Sequence, residues 1–438
     1  MFIYLKGGEV INAKKNILIE DEFIKEISDK DISLLPEGCQ IIDCTGLTIL
    51  PGIIDTHVHF RQPGAEYKAD MVSESRAALL GGVTSVFDMP NNSPAITDKE
   101  RLSEKYSLCK ENMRCNYSLY FGITDTNIDE ALNLEKGSIA GLKLFLGSST
   151  GNMLVNDKGS IEKLFKKTPF IITAHCEDET LIRENIFKFQ NSESLSYNIH
   201  SLIRDEDVCY RSSLYAVLLA KKYNTPFHLA HLTTAKEISL LDNGAIENKN
   251  ITSEVSPNHL FFCDEDYKEK GWLIKCNPSI KTSSDRKALR QALKEGFIDM
   301  ISTDHAPHLL EEKQKDYFSS PSGIPSIQFS LLMMLHIARE EHWDLSLIAK
   351  LMAENPAKRF SIHKRGFIKE GYYADFVFVQ RNKETKISRE NIASKCKWSP
   401  LENFVFHDAV RMTMINGEIV AQDGRIIKDK LGKRLIFD

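Results

Sequence analysis

The sequence predicts an α/β fold: a TIM-type (β/α)8 barrel with a small β-sandwich domain built from both termini. Three observations carry this. Apolar runs of strand length recur eight times between Ile53 and Thr303. Charged, helix-compatible stretches separate most of them, and strand-like segments stand at both ends of the 438-residue chain. Strand–helix alternation favours a parallel sheet, and eight units over roughly 250 residues favour closure into a barrel. An open doubly wound sheet would share the alternation; the count of units favours the barrel.

Residues 1–50 are expected to form one part of the small β domain. Phe2–Ile11 reads as a strand turning at Gly7 and Gly8, and Asn16–Ile27 and Leu47–Leu50 follow. Residues 51–363 form the expected barrel. Its strands are Ile53–His57, Ser85–Met89, Tyr117–Gly122, Leu142–Leu146, Phe170–Ala174, Phe227–His231, Ile251–Val255 and Met300–Thr303. Its helices include Asp70–Leu80, Asp98–Glu111, Arg204–Tyr223 and Ser284–Glu295. Residues 364–438 complete the β domain, with Asn416-Gly417 as a hairpin signal.

The net charge of −5 offers no polybasic field, which argues against nucleic acid or an anionic membrane as partner. Nine cysteines lack any CxxC pair and read as reduced thiols. No signal-like N-terminus or membrane-length apolar run is present, so a cytoplasmic location is expected.

The strongest local feature is Pro51–Arg61, PGIIDTHVHFR. Side chains alternate along a strand, so His57 and His59 share a side and can chelate a divalent cation. An HxH pair alone is weak. Other strand ends strengthen it: His175 closes the run from Phe170, His231 the run from Phe227, and Asp304 the run from Met300. Barrel enzymes build their sites at these ends. His228 stands an odd three residues before His231 and reads as packed on the other face; His200, His259 and His305 read as structural or surface residues rather than ligands.

Lys143 interrupts the otherwise apolar run Gly141–Leu146. It could snorkel to the barrel rim. Among four metal-bearing strand ends, the favoured reading is a desolvated amine that reacts with CO2, giving N6-carboxylysine as a bridging anion. Two divalent cations follow, one held by His57, His59 and Asp304, the other by His175 and His231, with carboxylated Lys143 and a hydroxide between them. Zinc suits the donors best, though cobalt, manganese and iron also fit. Asp304 could shuttle the proton from the nucleophile to a leaving nitrogen.

These residues resemble the amidohydrolase superfamily, in the branch of dihydroorotases, hydantoinases and allantoinases. The blocks PGIIDTHVHFRQPG, DMPNN, GLKLFL, AHCED, HLTT, SPNHL, NPSIK and STDHAPH occur in that branch's order, followed by GFIKEGYYADFVFV and WSP. The resemblance covers nearly the whole chain. It implies substrate contacts at His59, Arg61, Asn91, Asn277 and His308 and at the Ser322-Gly323 backbone. Arg61 directs the choice within the branch, because a guanidinium suits a carboxylate bidentately. The implied reaction is the reversible cyclisation of N-carbamoyl-L-aspartate to dihydroorotate and water, a step of pyrimidine synthesis. The alternatives are an allantoinase or hydantoinase/dihydropyrimidinase activity, and an inactive structural partner of aspartate transcarbamoylase. The resemblance also implies a homodimer. Lys143 stands where many dihydroorotases of this length carry aspartate, Asn258 where a His-His pair is common, and Ser322 where an aromatic residue is frequent.

Overall fold

The computed structural model describes residues 1–147, 153–189 and 199–438. Eight parallel strands run in sequence order: β1 Ile53–Val58, β2 Val83–Asp88, β3 Asn116–Gly122, β4 Gly141–Phe145, β5 Ile172–His175, β6 Phe227–Leu229, β7 Ile251–Val255 and β8 Met300–Ile301. The ring closes where His305, just past β8, makes a parallel bridge with Val58 of β1. Asp55 reinforces that seam by accepting the Thr303 N–H at 3.0 Å and the Thr303 hydroxyl at 2.6 Å. Every expected barrel strand is present, and β6 and β8 are shorter than the apolar runs suggest.

The helices form where amphipathic stretches carry caps. Met71–Leu80 begins with a capping box between Asp70 and Ser73, and Ser283–Glu295 with one between Thr282 and Asp285. Glu206–Tyr223 starts on the Asp205 side chain and stops at Asn224, whose left-handed conformation ends the last turn.

The barrel is packed from below. Ile54, Phe87, Tyr120, Met300 and Phe360 form a buried cluster, with Phe87 edge-on to Phe360 at 5.0 Å between centroids. That plug closes the floor and leaves the carboxyl ends of the strands for chemistry.

Strands from both termini form one nine-stranded sheet with its own core, in which Leu5, Ile17, Ile19, Ile49, Phe376 and Met414 are buried. Its seam is the antiparallel pair Thr48–Pro51 and Phe376–Gln380, which joins the two ends of the chain directly before β1. Gly7 and Gly8 do not form a turn: Phe2–Val10 is continuous, and the register shifts between Leu5 and Gly8 as a bulge. Asn416 and Gly417, at φ 49° and 75°, connect Ala409–Ile415 to Glu418–Gln422 as a tight hairpin. No helix among the described residues is long and apolar enough to cross a membrane, and the nine cysteines are free thiols.

Candidate active site

All twelve residues nominated by the sequence line one cleft of about 90 Å³ at the carboxyl ends of the strands, together with Phe145 and Ala306. His57 lies within β1, and His59 follows one residue past its end; their rings are 5.5 Å apart. His175 is the last residue of β5. His231 and Asp304 lie beyond the ends of β6 and β8 and have positive φ, 34° and 49°. Arg61 shares this left-handed backbone at φ 66°. Non-glycine residues adopt it at a cost, and such outliers cluster where side chains are aimed at a site.

Alternation along one strand does not separate His228 from His231. β6 ends at Leu229, so the chain turns before His231 and the alternation stops. His228 does face the barrel interior, but lower, where Thr252 and Glu254 engage its two nitrogens at 2.9 and 3.2 Å. Both nitrogens are thereby occupied, as expected of a packed histidine. His200, His259 and His305 are likewise buried and bonded, to Tyr317 and Cys276, to Ser256 and Pro278, and to Glu74 respectively.

The hydrogen bonds around the nominated histidines determine where their lone pairs point. His57 donates Nδ1–H to Glu254 at 2.5 Å, leaving the Nε2 lone pair 3.4 Å from Asp304 Oδ1. His59 donates Nδ1–H to Asn91 Oδ1 at 2.8 Å, which leaves its Nε2 lone pair 3.1 Å from the same Asp304 oxygen. His175 donates Nε2–H to Glu177 at 2.9 Å, so its Nδ1 lone pair faces His231 Nε2 at 3.0 Å. Burial holds His57 down at about 4, and burial with the Arg61 charge holds His59 well below its ordinary value, so both rings are neutral. Neutral lone pairs aimed at a carboxylate oxygen repel it unless a cation lies between. The donor atoms of His57, His59 and Asp304 all fall within 4.8 Å of one another. Outward nitrogens of His57 and His59 tied to Glu254 and Asn91, with inward lone pairs, suit a site that could hold a metal ion.

Lys143 is fully buried on β4, with Nζ 3.4 Å from His57 Nε2. Among the described residues it has no carboxylate partner within ion-pair distance. Burial pushes its ammonium down to about 8, so free amine is present near neutral pH.

Arg61, Asn277, His308 and Gly323 line the same cleft. Arg61 is half-buried, donates Nε–H to Pro307 O at 3.0 Å, and forms no ion pair among the described residues. His308 adjoins it, its backbone carbonyl held by the Trp398 indole at 2.7 Å. Asn277 contributes a buried Oδ1 that has no hydrogen-bond partner among the described residues. Ser322 and Gly323 both line the cleft, and Gly323 donates its N–H to Lys275 O at 2.9 Å. What Gly323 provides is space: at φ 150°, a Cβ there would lie 2.4 Å from Ala306 O and 2.9 Å from His308 Cδ2.

Several supporting residues escaped the sequence reading. Glu254 is a lone carboxylate in the strand Ile251–Val255, the same signal that singled out Lys143. Glu177, two residues after His175, is buried against Arg204. Lys105, buried on an outer helix, reaches Asp88, Met89 O and Asn92 and so holds the loop that carries Asn91; nothing local marks it.

The profile of the Amidohydrolase family matches residues 48–420. The chain is 32% identical to the dihydroorotase of Methanosphaera stadtmanae over 97% of its own length and 98% of that protein's. The chain belongs to the amidohydrolase family, in its dihydroorotase group. The Bacillus subtilis dihydroorotase is 30% identical, covering 98% of this chain and 100% of that one. In fold, the family member resembles the L-hydantoinase of Arthrobacter aurescens, with a TM-score of 0.93 at 23% identity over the full length of both chains. The D-hydantoinase of Thermus sp. gives 0.86 at 22% identity over 97% of this chain and 96% of that one. Those two likenesses establish the barrel and its flanking sheet, while the sequence relatives point to the dihydroorotase group.

Proposed function

We propose that the chain interconverts dihydroorotate and N-carbamoyl-L-aspartate. The observation that carries this reading is Arg61, a half-buried guanidinium without a carboxylate partner among the described residues, in the same cleft as the histidine cluster. A buried charge is tolerated when a counter-charge arrives, and both the ring and the open substrate bring an α-carboxylate. A hydantoin or allantoin ring has no such group, which disfavours the hydantoinase and allantoinase alternatives.

Two divalent cations, with zinc as first choice, would be held by His57, His59 and Asp304 and by His175 and His231, with carboxylated Lys143 between them. When bound they supply Lewis acidity, which makes hydroxide available near neutral pH and polarises the ring carbonyl. The chain's own residues do the rest. Arg61 and His308 hold the carboxylate, and Asn91 and Asn277 orient the ring amides. In the hydrolytic direction the water oxygen bonds to the ring carbonyl carbon. Asp304 accepts the water's proton and delivers it to the ring nitrogen as the C–N bond breaks. In the synthetic direction the same carboxylate takes the ureido proton and returns it to the departing oxygen.

A homodimer, association with aspartate transcarbamoylase and a cytoplasmic location belong to this proposal on the strength of the family resemblance; sedimentation of the purified chain tests the dimer. The substrate class is tested by titrating the chain with orotate and with uracil, planar rings that differ by the carboxylate. Binding of orotate alone supports the proposal, and equal binding of both overturns it.

A further inference from the structure

Lys68 lies in the loop between β1 and the helix Met71–Leu80, outside every motif role considered above. Its Nζ stands 3.1 Å from His308 Nδ1 and 3.0 Å from Glu312 Oε1, and its side chain is only 14% exposed. Glu312 is fixed in turn, its other oxygen accepting the Leu309 N–H at 3.0 Å. An ammonium has donors and no acceptor, so His308 Nδ1 must present its lone pair. The ring is then neutral, with its proton on Nε2.

Among the described residues, that proton meets one acceptor, Ser322 O at 3.1 Å. Arg61 Nη2 also lies 3.0 Å from Nε2, but a guanidinium accepts nothing, so this contact sets two donors side by side. An anionic oxygen placed between them satisfies both.

We propose that Lys68 is a positioning residue: it fixes the Nε2–H tautomer of His308 and so makes that imidazole a second donor, beside Arg61, for the substrate carboxylate. This rests on the carboxylate-bearing substrate proposed above. Without Lys68, Glu312 Oε2 at 3.8 Å is the carboxylate beside Nδ1 among the described residues, and it draws the ring proton to Nδ1. Nε2 then becomes an acceptor that caps Arg61 and faces the incoming carboxylate with a lone pair.

The test uses the full-length, zinc-loaded chain labelled with 15N-histidine, with the His308 signals assigned by their loss in His308→Asn. His308 is expected to be protonated at Nε2 and bare at Nδ1, and Lys68→Met is expected to reverse this. The KM for dihydroorotate should rise about tenfold in Lys68→Met with kcat held within about twofold, the size of one charge-assisted hydrogen bond. Lys68→Arg should restore most of the loss. On a His308→Asn background, Lys68→Met should shift KM by less than about twofold, because two residues acting through one contact are not additive. A wild-type His308 protonated at Nδ1 overturns the proposal, as does a full tenfold effect of Lys68→Met on the His308→Asn background. Absence of dihydroorotate turnover in the wild type would sink the substrate reading instead, and the tautomer measurement would still decide the role of Lys68.

Discussion

His57 Nδ1 lies 2.5 Å from Glu254 Oε1, and the other oxygen of that carboxylate meets His228 Nε2 at 3.2 Å. One buried carboxylate on β7 thus orients a proposed ligand above it and satisfies a packed histidine below. In Glu254→Gln the shape is kept and the paired acceptors are lost. Zinc affinity should fall about 10- to 100-fold, the usual effect of removing a carboxylate behind a ligating histidine. Equilibrium dialysis measures it, and an unchanged affinity would remove Glu254 from this role.

Arg61→Met removes the proposed carboxylate clamp. A charged hydrogen bond contributes about 1.5–3 kcal/mol, so KM for dihydroorotate should rise on the order of 10- to 100-fold, with kcat less affected. Steady-state kinetics with dihydroorotate checks this, and an unchanged KM would show that Arg61 does not touch the substrate.

Lys143 has a buried amine with no counter-ion among the described residues, positioned against His57. Incubating the zinc-loaded chain with 13C-bicarbonate should give a carbamate carbon signal in the NMR spectrum. The signal should be missing from Lys143→Arg, whose side chain stays protonated. The same signal in both proteins would place the carbamate elsewhere.

Gly323→Ala should destabilise the chain and weaken substrate binding together. The backbone conformation at φ 150° suits glycine, and the added methyl meets Ala306 O and His308. Strain of this kind costs about 1–3 kcal/mol before the clash is counted. Thermal unfolding with a parallel KM determination reads both effects; an unshifted Tm would mean that the loop yields.

Much of this architecture was legible because two periodicities coincide with chemistry. The eight apolar runs gave the barrel, and histidines at their ends gave the cleft, since strand ends are where a barrel exposes side chains. Lys143 was visible as a charge in a buried strand. Glu254 carried the same signal, but a carboxylate one residue from a strand end is easily taken for solvent-facing. His231 lines the cleft and His228 packs below it, but strand alternation does not explain the difference, because the strand ends at Leu229. Lys105 and Lys68 could not be read at all. Asp88 lies 17 residues from Lys105 across one strand-helix unit, and His308 lies 240 residues from Lys68 across the seam that closes the ring.

The most direct test of the central claim is initial-rate turnover of dihydroorotate, hydantoin and allantoin by one preparation whose metal content is measured on the same sample. The account predicts about two divalent ions per chain and turnover of dihydroorotate alone. Turnover confined to the neutral rings, or none at all after reconstitution with zinc, would contradict it.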